Sequence, residues 1–434
     1  MSDFIYGLNK SGISVAKFLL KKQIKFDLWD DDISKRKKLK KIFKNHNFLK
    51  LSNKNFYKYN NIYVSPGISF KDSKFKKINK NKILKRDLNL YWNYTKKQKI
   101  IAITGTNGKS TSTKLIGDIL NKNNFKTFIG GNIGIPLCDN FLSKKKYDYH
   151  VIELSSFQLE KINNFNPKIS IILNLSKDHM DRYNNITEYI NQKKKILNKS
   201  LNGYNLISLD DKYSKKIYQI KNIKNKISFS INNEKADIYI KNNYINDNFF
   251  NDNKKILIKK ISKDLEEKIN LQNILVAYIC CKILKVSLKV FYEIISNFKG
   301  LPFRSQVLFK SKSLRIINNS KATNLSSTLN SIHNKKNILL ILGGSAKEKN
   351  FKELIKYKNN IIKSYIFGKS SSLIYSQIYK KIDSKKFKNL KFLIDDLFMD
   401  LKFLDNHITI LFAPACTSYD QYESFESRGE HFNK

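Results

Sequence analysis

A glycine-rich segment carries the residue types with the most specific chemistry in the chain. It follows the apolar run 100–104 and precedes a helical stretch that reaches Asn121. Its members are Gly105, Thr106, Asn107, Gly108, Lys109, Ser110 and Thr111. Glycines let backbone N–H groups wrap around a polyphosphate, and the following helix N-terminus adds partial positive charge. Lys109 would reach the outer phosphates and Ser110 would ligate Mg²⁺, so the segment predicts an ATP site. The alternative is a glycine turn with an incidental lysine.

An ATP site also requires acidic or polar groups on neighbouring strands to hold the metal. Glu153 ends a predicted strand, where its carboxylate would face the glycine-rich segment; the alternative is a residue at the start of a helix. His179 follows another predicted strand and stands between Asp178 and Asp181. A lone histidine is more often structural, but carboxylates on both sides in an ATPase favour a metal ligand.

The charge of the chain is strongly positive but evenly spread. The sequence has 82 Lys and Arg against 36 Asp and Glu, for a net charge of +46. A nucleic-acid binder would concentrate its basic residues in a patch or a recognisable reading module. Two interpretations stay open, a solvated surface with biased composition and a polyanion-binding role. In either case the positive field would favour anionic substrates such as nucleotides.

Cysteine spacing and hydropathy exclude several classes of protein. The four cysteines form no CxxC pair and no metal-ligand spacing, which argues against a disulfide framework or a zinc site. No apolar run approaches the length that a membrane helix needs, and the N-terminus lacks an export pattern. We therefore expect a cytoplasmic protein with no membrane partner.

Apolar runs alternate with helical stretches along the whole chain. The predicted strands cover residues 4–6, 25–29, 100–104, 150–154, 169–173, 205–209, 314–317, 338–342, 364–367 and 408–412. Such alternation predicts an α/β fold with parallel sheets. The scarce glycines and prolines stand near strand ends, where α/β proteins place ligand sites.

A chain of 434 residues exceeds what one hydrophobic core usually supports, so several domains are expected. Residues 1–95 open with a Rossmann-like βαβ pattern, although the glycine spacing departs from GxGxxG. Residues 96–300 would form a central P-loop-type ATPase domain with a parallel sheet. Residues 301–434 would form a second Rossmann-like domain. The sequence thus predicts three domains with these boundaries.

Further short motifs occur in order through all three predicted domains. They are Gly131-Asn132-Ile133-Gly134, Ser155-Ser156-Phe157-Gln158-Leu159-Glu160, Asp178-His179-Met180-Asp181-Arg182-Tyr183, Leu301-Pro302-Phe303-Arg304, Ser320-Lys321-Ala322-Thr323-Asn324, Leu342-Gly343-Gly344 followed by Lys347, Pro414-Ala415-Cys416-Thr417-Ser418-Tyr419-Asp420, and Phe425-Glu426-Ser427-Arg428-Gly429. Together with the glycine-rich segment, this series resembles the Mur ligase family. The resemblance implies a three-domain ligase that binds a UDP-sugar in its N-terminal domain, ATP in its central domain and an amino acid mainly in its C-terminal domain.

The resemblance also implies the reaction. It is the ATP-dependent addition of D-glutamate to UDP-N-acetylmuramoyl-L-alanine through an acyl phosphate, in cytoplasmic peptidoglycan precursor synthesis, by a monomer with no specific nucleic-acid partner. The residues implied for the UDP-sugar are Leu8, Ser11, Asp30, Ser65, Gly67 and Asn132. Those implied for D-glutamate are Lys321, Thr323, Lys347, Ser418, Tyr419 and Phe425.

By the same resemblance, further residues would complete the ATP and metal sites. The implied ATP contacts beyond the glycine-rich segment are Asn270, Asn273, Arg304 and Asn319. One Mg²⁺ would bind Ser110 and Glu153, and a second would bind His179 with a carbamylated lysine. Lys193 fits the family's Tyr-x-x-x-Lys pattern from Tyr189, while the adjacent Lys194 and Lys195 leave the register open. The implied catalytic set is Lys109, Glu153, His179 and Lys193.

Three positions depart from the family's pattern. Asn319 stands where a carboxylate is expected, and Ile269 and Phe303 each stand where a histidine is usual. Each change is expected to weaken ATP binding slightly. None removes a phosphate, metal or amino-acid contact, so the resemblance still implies an active enzyme.

Other functions remain alternatives to the D-glutamate ligase. A sister ligase for another amino acid, or an enzyme similar to folylpolyglutamate synthetase, would share the fold. A nucleic-acid-binding ATPase would fit the charge and would hydrolyse ATP faster with DNA or RNA. A homologue that folds without turning over is the third alternative.

Overall fold

The computed structural model describes residues 2–52, 55–75, 78, 83–250, 256–258, 261–262, 265, 268–333, 335–401 and 407–434. The chain forms two compact units. The first comprises Met1–Leu175, Thr187–Lys259 and Gln272–Ile294, and the second comprises Ser176–Ile186, Lys260–Leu271 and Ile295–Lys434. The predicted α/β class is confirmed. The predicted domain boundaries at 95/96 and 300/301 stay predictions.

A four-stranded sheet opens the first unit, with strand order β2-β1-β3-β4 and parallel pairing throughout. Its elements are β1 (Ser2–Tyr6), α1 (Lys10–Lys21), β2 (Phe26–Trp29), α2 (Ile33–Lys40), β3 (Tyr59–Val64), β4 (Leu84–Lys85) and α3 (Asp87–Thr95). Alternate side chains of β1 pack on opposite faces, Ile5 with Val15 of α1 and Phe4 with Phe75. The chain passes from β1 to β2 on one side of β1 and then crosses to β3 on its other side. At such a change of direction, the carboxyl ends of the two neighbouring strands, here β1 and β3, border a crevice.

A nine-stranded sheet forms the rest of the first unit, in the order β13-β12-β11-β10-β9-β8-β5-β7-β6. Its strands are β5 (Lys99–Thr104), β6 (Thr127–Gly131), β7 (Tyr149–Glu153), β8 (Ile169–Ile172), β9 (Tyr204–Ser208), β10 (Lys226–Ser230), β11 (Ile238–Lys241), β12 (Tyr244–Asp247) and β13 (Ile256–Leu257). The helices that accompany them are α4 (Lys109–Lys122), α5 (Ile186–Lys194), α6 (Lys212–Tyr218), α7 (Lys268–Leu284) and α8 (Leu288–Asn297). The strands β5, β7 and β8 are buried and adjacent, so the loops at their carboxyl ends meet.

A six-stranded sheet forms the core of the second unit, in the order β14-β15-β19-β16-β17-β18. Its elements are β14 (Gln306–Lys310), β15 (Leu314–Asn318), α9 (Leu325–Ile332), β16 (Ile338–Gly343), β17 (Ile361–Phe367), α10 (Ser371–Ile378), β18 (Ser384–Phe387), α11 (Leu390–Leu401), β19 (Ile408–Phe412) and α12 (Phe425–Asn433). The last strand in sequence, β19, lies between β15 and β16 and pairs with both in parallel. The carboxyl ends of these three strands therefore form one edge of the sheet.

The predicted strands all occur, with ends that shift by a few residues. The strand predicted at 408–412 has these bounds in the structure, whereas the one predicted at 364–367 begins earlier, at Ile361. The sequence did not predict the antiparallel edges, where β11, β12 and β13 pair with one another and β14 pairs with β15. Among the described residues, no helix has both the length and the apolar character to cross a bilayer.

Candidate active site

The glycine-rich segment forms a tight loop between β5 and α4. Gly108 has φ +82°, and a Cβ there would lie 2.6 Å from Oδ1 of Asn273, so the loop needs glycine at this position. The same Oδ1 accepts a hydrogen bond of 2.8 Å from the hydroxyl of Ser112. Lys109 starts the helix, and its Nζ donates to the Thr106 carbonyl at 2.8 Å. The predicted ATP contacts from Thr106 to Lys109, together with Asn273, therefore lie together.

Asn174, which follows β8, holds the loop from its other side. Its Oδ1 accepts from the Asn107 N–H at 2.9 Å, and its Nδ2 donates to the Asn107 carbonyl at 3.1 Å. Its own carbonyl accepts from the Thr106 N–H at 2.7 Å. Gln272 of α7 supports the amide, because its Oε1 accepts from Asn174 Nδ2 at 2.9 Å. Asn174 was not among the predicted site residues, although its position just past a strand was the available signal.

A buried carboxylate faces the start of α4. Glu153 ends β7 and is 1% exposed. The Ser110 hydroxyl donates to its Oε2, and Asn132 Nδ2 donates to its Oε1 at 2.8 Å. Gly131 brings this loop close, since its φ is +113° and a Cβ would lie 2.3 Å from the Glu153 carbonyl. A hydroxyl and a carboxylate held side by side offer the oxygen ligands that Mg²⁺ prefers, so these residues fit the predicted metal.

Lys193 is buried beside the same loop. It lies on α5 and is 2% exposed, whereas Lys194 and Lys195 are partly exposed. Its Nζ donates to the Gly105 carbonyl at 2.7 Å and to Thr104 Oγ1 at 3.2 Å. The three candidates for the modified lysine therefore differ in their surroundings, and only Lys193 has these hydrogen bonds to the strand end and the loop.

The residues implied for the UDP-sugar gather at the carboxyl ends of β1 and β3. The Leu8 N–H donates to Asp30 Oδ2 at 2.6 Å. The Ser65 hydroxyl donates to the Gly7 carbonyl at 2.6 Å, and a Cβ added to Gly67 would meet open space. This edge is the crevice where α/β sheets bind ligands.

The remaining UDP-sugar residues lie on nearby segments of the first unit. Ser11 lies close to the carboxyl of Asp87, a group whose pKa is raised by burial. Gln158 Nε2 donates to the same carboxyl at 3.3 Å. Asn132 instead contacts Glu153, so it links the UDP-sugar set to the metal set.

The residues implied for D-glutamate stand at the carboxyl ends of β15, β16 and β19 in the second unit. Lys321 Nζ lies 3.9 Å from the centre of the Phe425 ring, and the Thr323 N–H donates to the Lys321 carbonyl at 2.8 Å. Ser418 is buried, whereas Tyr419 is 75% exposed.

Arg428 joins the loops after β15 and β19. It is fully buried, and its guanidinium donates to the carbonyls of Ser320 at 2.7 Å and Cys416 at 3.0 Å. Burial lowers the pKa of this guanidinium to about 10. The side chain thus fixes two of the loops that carry the implied D-glutamate residues.

A second polar cluster surrounds Asp178 in the same unit. Its carboxylate accepts from Lys347 Nζ at 3.3 Å and from Asn324 Nδ2 at 3.3 Å, and it lies 3.5 Å from Nε2 of His179. The neighbouring Glu348 accepts from the Leu325 N–H at 2.9 Å. Burial raises the pKa of the Glu348 carboxyl to about 7, and the charge of Asp178 adds to the effect. His179 belongs to the second unit, whereas Lys109, Glu153 and Lys193 belong to the first.

The positions that depart from the family's pattern have structural partners where they are described. Asn319 Nδ2 donates to Ser331 Oγ at 2.6 Å. A carboxylate at this position could only accept a hydrogen bond, so the amide pairs with the same hydroxyl in the opposite direction. Phe303 is buried and packs on Gly429, where an added Cβ would lie 2.3 Å from its ring. The side chain of Ile269 lies outside the described part of the chain. Arg304 is partly exposed in the second unit.

The two remaining ATP contacts implied by the resemblance are Thr111 and Asn270. Thr111 follows Ser110 in the first turn of α4, and Asn270 is buried near the start of α7. Their roles, like those of the other implied residues, stay predictions.

Comparison with known proteins agrees with this geometry. The Mur ligase middle domain model matches residues 103–281, and the Mur ligase MurD-like N-terminal domain model matches residues 2–84. The UDP-N-acetylmuramoylalanine--D-glutamate ligase of Rickettsia prowazekii is 34% identical over 440 residues, covering 99% of this chain and 96% of the relative. The enzyme of that name from Buchnera aphidicola subsp. Baizongia pistaciae is 36% identical over 441 residues, covering 99% and 96%.

Solved structures share the fold at low sequence identity. The UDP-N-acetylmuramate-alanine ligase MurC of Thermotoga maritima is similar with a TM-score of 0.61 at 16% identity, covering 100% of this chain and 98% of its own. The MurF ligase of Thermotoga maritima, solved with ADP, has a TM-score of 0.62 at 16% identity and covers 98% of each chain. The solved structures show the fold, and the sequence relatives show the branch of the family. The chain belongs to the Mur ligase family of ATP-dependent amide ligases, in the branch of the UDP-N-acetylmuramoylalanine--D-glutamate ligases.

Proposed function

We propose that the chain joins D-glutamate to the alanyl carboxylate of UDP-N-acetylmuramoyl-L-alanine, using ATP to form an acyl phosphate first. The observation that carries the proposal is the pairing of Ser110 and Glu153 at the start of α4, next to the loop that holds Lys109. A carboxylate and a triphosphate repel each other, so the site must neutralise both before phosphate can pass between them.

Different residues of the first unit would neutralise the phosphates and hold the metal. Lys109 starts α4, where its charge and the helix N-terminus both favour the outer phosphates of ATP. Ser110 and Glu153 would hold one Mg²⁺. The metal would supply positive charge to the phosphoryl group during transfer. Asn132 would keep the Glu153 carboxylate aimed at that position, because it binds the other carboxylate oxygen at 2.8 Å.

His179 and a carbamylated Lys193 would each be a ligand for a second Mg²⁺, and with it they would complete the proposed catalytic set. The burial of Lys193 and its position beside Gly105 support its selection over Lys194 and Lys195. Carbon-13 bicarbonate should give a carbamate resonance that disappears in Lys193→Gln and remains in the matched control Lys195→Gln. A resonance that survives in Lys193→Gln would contradict this assignment.

The two substrate ends have chemically suitable surroundings. Backbone groups and short polar side chains gather at the crevice of the first sheet, which suits a nucleotide diphosphate. In the second unit, the cations Lys321 and Lys347 and the hydroxyl of Ser418 follow three adjacent strands, which suits an amino acid with two carboxylates. The amine must lose a proton before it attacks the acyl phosphate, and His179 or a carboxylate near the metals would accept it.

We further propose that the enzyme works as a cytoplasmic monomer in peptidoglycan precursor synthesis.

A panel of amino acids tests the substrate assignment. Phosphate release with ATP and UDP-N-acetylmuramoyl-L-alanine should rise with D-glutamate and stay at background with L-lysine, meso-diaminopimelate and L-glutamate. Stimulation by L-lysine or meso-diaminopimelate without stimulation by D-glutamate would refute the proposal.

A further inference from the structure

Arg86 is a fully buried arginine at the start of α3, beneath the turn that follows β3. It is 0% exposed. Its Nη1 donates to the carbonyls of Val64 at 2.9 Å and Ser65 at 2.7 Å, and its Nη2 donates to the carbonyl of Ile68 at 2.9 Å. One side chain therefore binds three carbonyl oxygens of the turn that carries Ser65 and Gly67.

The same guanidinium reaches the segment that follows β7. Its Nη2 also donates to the carboxylate of Glu160, and its Cζ lies 3.6 Å from the centre of the Phe70 ring. Glu160 ends the motif that begins at Ser155, two residues after Glu153. A buried ion pair contributes little net stability, but it fixes geometry because either charge alone is costly to bury. The pair thus ties the turn after β3 to the segment that begins at the metal carboxylate.

The turn transmits this constraint to the loop after β1. The Ser65 hydroxyl donates to the Gly7 carbonyl, and the Ser65 N–H donates to the Tyr6 carbonyl at 2.9 Å. Gly7 has φ +91°, and a Cβ there would lie 2.5 Å from Cδ1 of Ile68. The two loops are therefore packed against each other, and a shift of the turn would move both sides of the crevice.

We propose that Arg86 is a positioning residue that holds the turn Ser65–Ile68 in the conformation that binds the diphosphate end of the UDP-sugar, with Glu160 as its anchor. The inference rests on the proposed function, since that function assigns this crevice to the UDP-sugar. Lysine cannot replace arginine here, because an ammonium has no planar fork that spans three carbonyls and a carboxylate.

Binding of uridine diphosphate to the full chain tests the proposal directly. Arg86→Lys should bind uridine diphosphate about tenfold more weakly than the wild type by calorimetry, because several charge-assisted hydrogen bonds are lost. Its KM for the UDP-sugar should rise about tenfold while kcat changes by less than about threefold, as expected for lost substrate binding. Affinity for ADP should stay unchanged, because Asn174 and Asn273 hold the phosphate loop.

Two further variants make the result decisive. Arg315→Lys, an arginine of β15 in the second unit, is the matched control and should bind uridine diphosphate like the wild type. Glu160→Gln removes the anchoring charge and leaves Arg86 in place, so it decides the question if Arg86→Lys does not fold; about threefold weaker binding is expected. Wild-type affinity in a folded Arg86→Lys, or in Glu160→Gln, would overturn the proposal. A wild-type chain that binds uridine diphosphate without adding D-glutamate would contradict the proposed function alone.

Discussion

At the scale of single residues, Glu153 is the group whose charge matters most. Its side chain is buried, and both of its carboxylate oxygens already have hydrogen-bond donors, from Ser110 and Asn132. A buried carboxylate is costly unless its partners compensate it. Both donors hold the carboxyl group in place where the proposed Mg²⁺ would bind.

Glu153→Gln should keep the shape of this site and remove its charge. We expect kcat to fall about 100-fold, with a higher Mg²⁺ concentration needed for half-maximal rate, because the Mg²⁺ that would supply positive charge to the transferring phosphate is held more weakly. Steady-state rates measured over a Mg²⁺ titration check this. Asp118→Asn on α4, which breaks only the partly exposed pair with Lys114, should behave like the wild type. Equal rates for Glu153→Gln and Asp118→Asn would rule out the metal role.

Glu348 gives the fold a defined dependence on pH. Burial raises its pKa from the ordinary 4.5 to about 7, and it faces the carboxylates of Asp178 and Glu353 as well as the ammonium of Lys347. The folded state therefore favours the protonated form. Its contribution to stability is complete below the unfolded pKa and is lost as the pH rises through 7.

Glu348→Gln should remove this dependence, because the amide oxygen can still accept from the Leu325 N–H. Between about pH 5 and about pH 8, the thermal midpoint of the wild type should fall by about 2 to 4 °C relative to the variant. Thermal melts of both proteins in matched buffers measure the difference. A constant difference across this range would show that Glu348 does not titrate there.

At the scale of elements, each part of the site lies where parallel strands end and the sheet order changes direction. The glycine-rich loop follows β5, Asn174 follows β8, and Glu153 ends β7. Because these strands are adjacent, groups that are far apart in sequence meet at one edge. The loops after β15, β16 and β19 repeat this arrangement in the second unit.

Two glycine substitutions separate backbone strain from steric contact at this edge. Gly108→Ala introduces a side chain at φ +82° and places Cβ 2.6 Å from Asn273, whereas Gly134→Ala has φ +60° and open space. Gly134→Ala should lose about 1 kcal/mol from the strained backbone alone. Gly108→Ala should lose about 1 to 3 kcal/mol more, because overpacking adds to the strain, and its KM for ATP should rise. Denaturant unfolding of both variants gives the comparison, and equal losses would refute the steric argument.

Ten of the nineteen described strands, and the residues at their ends, were predicted from the sequence, because apolar periodicity and glycine placement are local signals. Glu153 could be placed at a strand end in this way. Its contact with Asn132 could not, because that contact depends on β6 and β7 being neighbours, and sheet order is not written in a single strand. Arg86 escaped prediction for a similar reason: its partners Ser65 and Glu160 come from segments distant in sequence. The antiparallel strands β11–β13 were missed because short, half-exposed strands carry a weak pattern.

At the scale of the whole molecule, the net charge of +46 is the property most open to misreading. Evenly spread lysines attract any polyanion at low salt, and this attraction is screened as ionic strength rises. The ligase function requires no nucleic acid. ATP turnover should therefore be unchanged by single-stranded RNA or duplex DNA at about 150 mM salt, where exposed charges interact weakly beyond about 8 Å. Coupled ADP assays with and without each polymer check this, and a strong stimulation would favour the nucleic-acid-dependent ATPase.

In the proposed reaction, phosphate passes from ATP to the alanyl carboxylate of the UDP-sugar. Oxygen-18 placed in that carboxylate follows the transfer, because the acyl phosphate keeps one carboxylate oxygen on phosphorus when the amine attacks carbon. With ATP and D-glutamate, mass spectrometry of the released inorganic phosphate should find one oxygen-18 atom for each amide bond formed. Unlabelled phosphate, or label recovered in AMP, would contradict the account.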